Sequence, residues 1–343
     1  MLNNQIAMFD VLDAPDPRDR YGSPDLSSYT TFVVFFSSGK DSIASVLHLL
    51  EMGVPASAIE LHHHRVDGAE GSDLFDWAVT DAYTKAFAKA FDLKLFFSWK
   101  EGGLELEMLR EDALTKPAWL ETPEGLIKSG GTSGKKSTRR KFPAVTANLG
   151  TRWCSAYGKI DIGCKVITSQ TRFCNSRTLV VTGERAQEST SRARYLSFEP
   201  HRTDRRAGRL ARHVDHWRPV HAWDEAQVWE IMERHNVRPH PAYELGFGRC
   251  SCQFCIFGSP NQWATVRQID PVRFQRIADY EKEFAHTIRN GMNVHQLADK
   301  GVPYPAATPE RAKVALSRDY NLPIIMENWE QPAGAYGESA GPT

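Results

Sequence analysis

The clearest feature of the chain is a short, wholly apolar run, Phe32 to Phe36, that breaks into small and polar residues at 37–42. A run this short, rich in β-branched and aromatic residues, fits a strand buried on both faces of a parallel sheet. Ile43, Val46, Leu47 and Leu50 then recur at helical spacing until Gly53, Val54 and Pro55 stop them. The order is strand, loop, helix. A second strand is predicted at 59–63, a helix over 72–91 carried by Phe75, Ala78, Ala82 and Phe87, and a third strand at 93–97. Strands alternating with helices predict an α/β fold, a doubly wound, mostly parallel sheet flanked by helices, with ligands beyond the strand C-termini.

Between about 122 and 149 the periodicity fails, and Gly and Ser mix with Lys135, Lys136, Arg139, Arg140 and Lys141, which predicts a mobile basic loop. A helix after Ser155, a strand at 178–182 and a short strand around 217–222 follow. Asp224 and Gln227 form a capping-box pattern that opens a helix to about His235. Beyond Pro260 the apolar spacing is helical. The expected organisation is an irregular arm at 1–30, an α/β domain at 31–223, a helical C-terminal region at 224–330 and a flexible tail at 331–343.

Composition narrows the partners. Of 343 residues, 42 are Lys or Arg and 42 are Asp or Glu, so no global field draws nucleic acid. Local stretches at 135–141 and 202–212 still could, the second holding Arg202, Arg205, Arg206, Arg209 and Arg212. No apolar run approaches the ~20 residues that cross a bilayer. Residues 1–22 lack the basic and apolar segments of a secretory signal, so a cytoplasmic protein is expected. Three of the six cysteines crowd at Cys250, Cys252 and Cys255, which suggests a metal or redox site over a disulfide framework.

The loop Ser37-Ser38-Gly39-Lys40-Asp41-Ser42 joins a buried strand to a helix. Its amides, the helix N-terminus, the Ser37 and Ser42 hydroxyls and the Lys40 ammonium suit a nucleotide phosphate. This loop resembles the SGGKDS signature of the PP-loop ATP pyrophosphatases, the adenine nucleotide α-hydrolases, with Ser38 at a glycine position. Arg152-Trp153-Cys154 with Lys159 resembles the RWC-x4-K motif of the phosphoadenylylsulfate (PAPS) reductase branch. Gly183-Glu184-Arg185 with Glu188 and Ser189 resembles its G-x-R-x-x-E-S segment. The block from Arg218 through the helix at 224–235 to His240, Pro241, Tyr243 and the C-x-x-C of Cys252 and Cys255 repeats that family's order of motifs.

The resemblance implies that Ser37, Ser38, Gly39, Lys40, Asp41, Ser42, Gly183 and Arg185 hold an adenine nucleotide, with His62 and His64 at the adenine rim. It implies chemistry at the α-phosphate by Lys40, Asp41, Arg152, Lys159 and Arg185, with ATP as substrate and Mg²⁺ beside it. The outcome is either AMP plus pyrophosphate or an adenylated acceptor. Cys154, Cys250, Cys252 and Cys255 supply enough thiolates for a [4Fe–4S] cluster or a zinc ion, although their register departs from the family's. A three-cysteine site or a merely reduced thiol cluster stands beside those readings. PAPS reductases also act through a cysteine near the C-terminus, and no cysteine follows Cys255. A sulfonucleotide reductase with a non-standard nucleophile and a sulfurtransferase component acting on DNA or RNA are the rivals. A nucleotide sensor without turnover is a third. A homodimer is an open partner.

Overall fold

The apolar run becomes β1 (Thr31–Phe35), and Phe32, Val33 and Val34 are buried because parallel neighbours flank it on both sides. The computed structural model describes residues 21–209 and 211–338. Most of the predicted arm, 1–20, and the end of the predicted tail, 339–343, lie outside the described residues. The further strands are β2 (Ile59–Arg65), β3 (Lys94–Lys100), β4 (Ala118–Thr122), β5 (Gly125–Ser129), β6 (Arg177–Val181), β7 (Phe198–Pro200) and β8 (His213–Trp217). Among the described residues they form one eight-stranded sheet in the order β5-β4-β3-β2-β1-β6-β8-β7. Pairs among β1, β2, β3, β6 and β8 are parallel, while β4, β5 and β7 are antiparallel. The predicted α/β class holds. The chain runs outward from β1 through β2 and β3, then returns to β6 on the other side. The strand order therefore reverses beside β1, and the crevice beyond the C-termini of β1 and β6 is where such sheets bind ligands.

Helices α1 (Lys40–Glu51), α2 (Thr80–Ala90), α3 (Gly103–Met108), α4 (Trp153–Ser155) and α5 (Asp161–Thr168) surround the sheet, and a π turn, Ala156–Ile160, joins the last two. The C-terminal part supplies α6 (Glu225–Arg234), α7 (Pro241–Glu244), α8 (Pro260–Ile269), α9 (Pro271–Phe284), α10 (Val294–Ala298) and α11 (Pro309–Ala315). The capping box at α6 forms, with Gln227 N donating to Asp224 Oδ1 at 2.9 Å and Asp224 N to Gln227 Oε1 at 2.9 Å. Both large cores cross residue 224. Val228, Trp229 and Ile231 pack with Val34, Ile43 and Leu47, and Trp263, Phe274 and Ile277 pack with Phe75, Leu104 and Trp153.

Three local expectations differ. The helix predicted over 72–91 begins only at Thr80, because the Asp67 carboxylate takes the N–H groups of Phe75 and Asp76 and fixes 72–79 as a loop. The stretch read as a loop from 122 contains β5, which closes a hairpin on β4. The short strand placed at 217–222 lies instead at His213–Trp217, where β8 pairs with β6. Among the described residues no helix is long and apolar enough to cross a membrane.

Candidate functional site

The loop after β1 is braced on every side. Ser38 takes φ 62, the left-handed conformation that glycine adopts without strain, and its hydroxyl shares a 2.6 Å hydrogen bond with Thr84 Oγ1. That bond offsets part of the strain a serine brings to a glycine position. Gly183, just beyond β6, lies against the N-terminus of α1. A Cβ there would sit 2.7 Å from the carbonyl carbon of Asp41 and 2.9 Å from Ser42 N. Glycine is what allows the β6 exit and the loop to touch.

Arg185 Nε donates to Asp41 Oδ1 at 2.5 Å, and its Nη1 donates to Gln187 Oε1 at 2.7 Å. Burial alone would raise the Asp41 pKa, but the charges of Lys40 and Arg185 outweigh it and hold the carboxylate below its usual range. Lys40 is buried. Its ammonium donates to Gly248 O at 3.0 Å, lies 3.6 Å from Glu225 Oε1 and faces the rings of Trp229 and Tyr243. The Lys40 amide donates to Tyr243 Oη at 3.0 Å. The segment 243–250 thus closes over the loop, and Cys250 O comes within 3.5 Å of where a Gly39 Cβ would stand.

Arg152 is the conspicuous cation. Its Nε and Nη1 are buried without a hydrogen-bond partner among the described residues. Burial depresses its pKa, and the nearby Arg192 and Arg249 push in the same direction. Arg192 pairs with Glu188 and also reaches the field of Asp41. Lys159, exposed on the π turn, acts electrostatically on His63, His64, Asp76, Cys154, Cys250 and Cys252. A π turn shifts side chains out of helical register and often marks a functional position. The crevice therefore gathers Arg152, Lys159, Arg185, Arg192 and Arg249 around the loop, an arrangement suited to a polyanion.

Asp76 escapes sequence reasoning because it sits inside an apparent helix. Burial and the neighbouring Asp67 raise its pKa to about 7, and Asp67 itself is raised by burial to about 6. Asp76 Oδ1 accepts from Trp77 N at 2.8 Å, which orients the carboxyl toward the Cys250–Cys252 segment whose thiols it influences. The folded chain keeps a proton on Asp76 between about pH 4 and 7 that the unfolded chain has released, so stability from this group falls as pH rises through that window. Asp76→Asn is expected to flatten the decline of the thermal midpoint between about pH 4 and 7, across which the carboxyl weakens the parent by up to roughly 3–4 kcal/mol. An unchanged pH profile in thermal melts counts against it.

The histidines divide. His62 is 1% exposed and its Nε2 lies 3.3 Å from Glu60 Oε2, a carboxylate also held by Arg172. Burial lowers the His62 pKa, so the neutral ring hydrogen-bonds to the Glu60–Arg172 pair rather than standing at a rim. His64 is half-buried, shares a 2.7 Å hydrogen bond between its Nδ1 and Ser98 Oγ, and its Nε2 is 3.4 Å from the position of a Gly163 Cβ. Its Nε2 is unpartnered among the described residues, and burial drives its pKa well down, so it is neutral.

The four cysteines divide between the two large cores. Cys154, Cys252 and Cys255 pack against the core of Trp153, Phe254 and Trp263, whereas Cys250 packs in the other core beside Tyr243. Among the described residues no group of three or more His, Cys, Asp and Glu side chains is arranged to hold a metal ion. Cys154, Cys252 and Cys255 nonetheless lie near enough to act electrostatically on one another. Burial pushes the Cys154, Cys250 and Cys252 thiols up, so they are protonated at neutral pH.

The two basic stretches lie at opposite ends of the sheet. Ser137 bridges to Ala113, between the C-terminal end of β3 and the start of β4, on the crevice side. Residues 202–212 precede β8, and Asn175 N donates to Ala211 O at 2.6 Å, which places them at the N-terminal ends of β6 and β8. One continuous nucleic-acid track beside the crevice is excluded.

Residues 147–257 match the model of the phosphoadenosine phosphosulfate reductase domain. The match covers the 152–159, 183–189 and 240–255 motifs and leaves the 37–42 loop outside. A protein of Escherichia phage 186, described as an uncharacterized 37.8 kDa protein in the gpa 5′ region, is 29% identical over 151 residues. That alignment covers 44% of this chain and 42% of the phage protein, less than half of either.

Proposed function

We propose that this chain, whose residues 147–257 match the phosphoadenosine phosphosulfate reductase domain, is a reductase-like protein of the adenine nucleotide α-hydrolase superfamily that binds ATP or a related adenine nucleotide and cleaves or transfers at the α-phosphate. The observation that carries this reading is the half-buried guanidinium of Arg152, whose buried Nε and Nη1 have no hydrogen-bond partner among the described residues, in a crevice of cations next to a strand-loop-helix anion site. An isolated buried charge is costly, and a phosphate oxygen is the partner its fork fits.

In this mechanism the amides at the start of α1 hold the phosphates. Arg152 and Lys159 face the negative charge that develops on the α-phosphate oxygens, a contribution that grows in a water-poor crevice. Arg185 and Asp41 fix the loop through their ion pair, and Lys40 ties it to Gly248 and Glu225. Of the site's carboxylates, Asp41 is committed to Arg185 and Asp76 holds a proton to about pH 7, so this chain presents no ready carboxylate ligand for the Mg²⁺ that accompanies the nucleotide, and the ion would be held through the phosphates themselves. When bound, that ion supplies further charge neutralisation at the phosphate oxygens. Water attack gives AMP and pyrophosphate, and attack by an acceptor oxygen gives an adenylate and pyrophosphate. The protonated, buried thiols of Cys154 and Cys252 weigh against a sulfonucleotide reductase.

Product analysis after incubation with ATP and Mg²⁺ tests the reading, with Arg152→Ala as the informative variant. Loss of a charge-assisted hydrogen bond is expected to weaken nucleotide binding by about 10-fold to 100-fold. Removal of an unpaired buried charge leaves the thermal midpoint of the nucleotide-free protein unchanged or raised. Equal nucleotide affinity in the two proteins sinks the assignment of Arg152.

A further inference from the structure

The end of the sheet opposite the crevice carries a second concentration of charge that the nucleotide reading does not use. A groove there is lined by Ser28, Thr30, Asn175, Arg177, Arg206 and His213. The hairpin that overhangs it is closed by Arg205 and Arg212, whose main chains pair at 2.8 and 3.3 Å. Arg206 is anchored from below by Asp204 at 2.9 Å and Asp215 at 2.5 Å. Asp215 is already saturated, accepting from Tyr29 Oη at 2.7 Å and lying 2.8 Å from His213 Nε2. Those aspartates position the hairpin and leave the remaining cations uncompensated. Arg202, Arg205 and Arg209 are exposed and pair with no carboxylate among the described residues.

We propose that this face, formed by Arg177 and the 202–212 hairpin, binds the phosphate backbone of nucleic acid. Two properties select that occupant. The cations are all arginines, whose planar forks match phosphate oxygens. The face also lacks the apolar centre that a protein partner or a lipid surface would use, for among the described residues no exposed large hydrophobic lies between 175 and 213. A surface of charge without apolar anchors binds sequence-independently through counterion release. The length of β6, roughly 17 Å at the usual rise per residue, separates it from the crevice, so both ligands bind at once.

The test is fluorescence anisotropy of the full chain with labelled duplex DNA of about 30 base pairs, titrated at several salt concentrations. With three phosphates engaged, affinity is expected to fall roughly 40-fold between about 50 and about 200 mM salt. The triple variant Arg202→Ala, Arg205→Ala, Arg209→Ala is expected to lose most of that affinity and about three units of the log–log salt slope. Its thermal midpoint and its binding of ATP stay at the parent values, because the three side chains are exposed and distant from the crevice. The proposal is overturned by no binding at low salt, by a triple variant that binds like the parent, or by loss of binding in Lys135→Ala, Lys136→Ala instead. Competition by poly-glutamate equal to that of DNA at matched charge also overturns it, in favour of an acidic protein. None of these outcomes depends on ATP cleavage.

Discussion

Replacing Gly183 with alanine is expected to abolish nucleotide binding and to lower the thermal midpoint. The added methyl would meet the carbonyl carbon and oxygen of Asp41 at 2.7 Å and Ser42 N at 2.9 Å. These are main-chain atoms at the start of α1, so no side chain can swing aside to relieve the clash. Either β6 or the helix N-terminus must move, at a cost of about 1–3 kcal/mol or more. The displaced atoms belong to the turn proposed to bind phosphate, and a misplacement near 1 Å suffices to ruin such a geometry. Gly39→Ala is the paired control. Its Cβ would meet Ser37 Oγ and Tyr243 Oη at 3.4 Å and Cys250 O at 3.5 Å, ordinary contacts on a backbone at φ −80. That variant is expected to fold normally and still to bind nucleotide poorly, because the methyl occupies space the phosphate needs. Calorimetric titration with ATP beside thermal melts separates the two, and full affinity in Gly183→Ala would remove the β6 exit from the site.

Loss of Arg185 is the second large effect. Arg185→Ala leaves the half-buried Asp41 carboxylate without its hydrogen-bonded partner and with only Lys40 and Arg192 as counter-charge, and breaking a buried pair from one side costs up to about 3–5 kcal/mol. The depressed Asp41 pKa gives the pair a direction in pH. Its stabilisation is fully present above the carboxylate's unfolded value and is lost as pH falls through the lower folded value. The parent is therefore expected to lose stability on acidification where Arg185→Ala has little left to lose. The double variant with Asp41→Asn should recover much of the stability and none of the nucleotide affinity. Chemical denaturation of the four proteins at pH 7 and at about pH 2 measures the coupling, and additive effects of the two substitutions at pH 7 would deny the pair its role.

What the sequence discloses and what it hides follow from the range of the interactions. β1 is legible because every residue from Phe32 to Val34 is apolar, and α6 because Asp224 and Gln227 cap it within one turn. The contact between 183–189 and 37–42 is legible only through the family motifs, since no local pattern says that Gly183 touches Asp41. Loop 72–79 is hidden because its apolar spacing is helical, and the carboxylate that overrides it lies eight residues upstream at Asp67. Asp76 vanishes into the same misreading. The β4–β5 hairpin has a turn signal in Pro123 and Gly125, masked by the basic residues that follow. The cysteines show the opposite failure. Cys250 and Cys252 are neighbours in the chain, yet the segment sends them into different cores.

The brace on the nucleotide loop also sets an order of assembly. Lys40 meets Tyr243 and Gly248 across 203 and 208 residues of chain. During synthesis the strand-loop-helix unit leaves the ribosome early and waits, its lysine unsatisfied, until the residues near 250 emerge. At about 5–20 residues per second the interval is roughly ten to forty seconds. A nascent chain in that interval has the 37–42 turn without the clasp that shapes it. Competence of the proposed nucleotide site is thus a late event in folding, governed by a contact of long sequence separation. Ribosome-arrested chains ending before and after the clasp would differ in how readily a protease cuts at the loop.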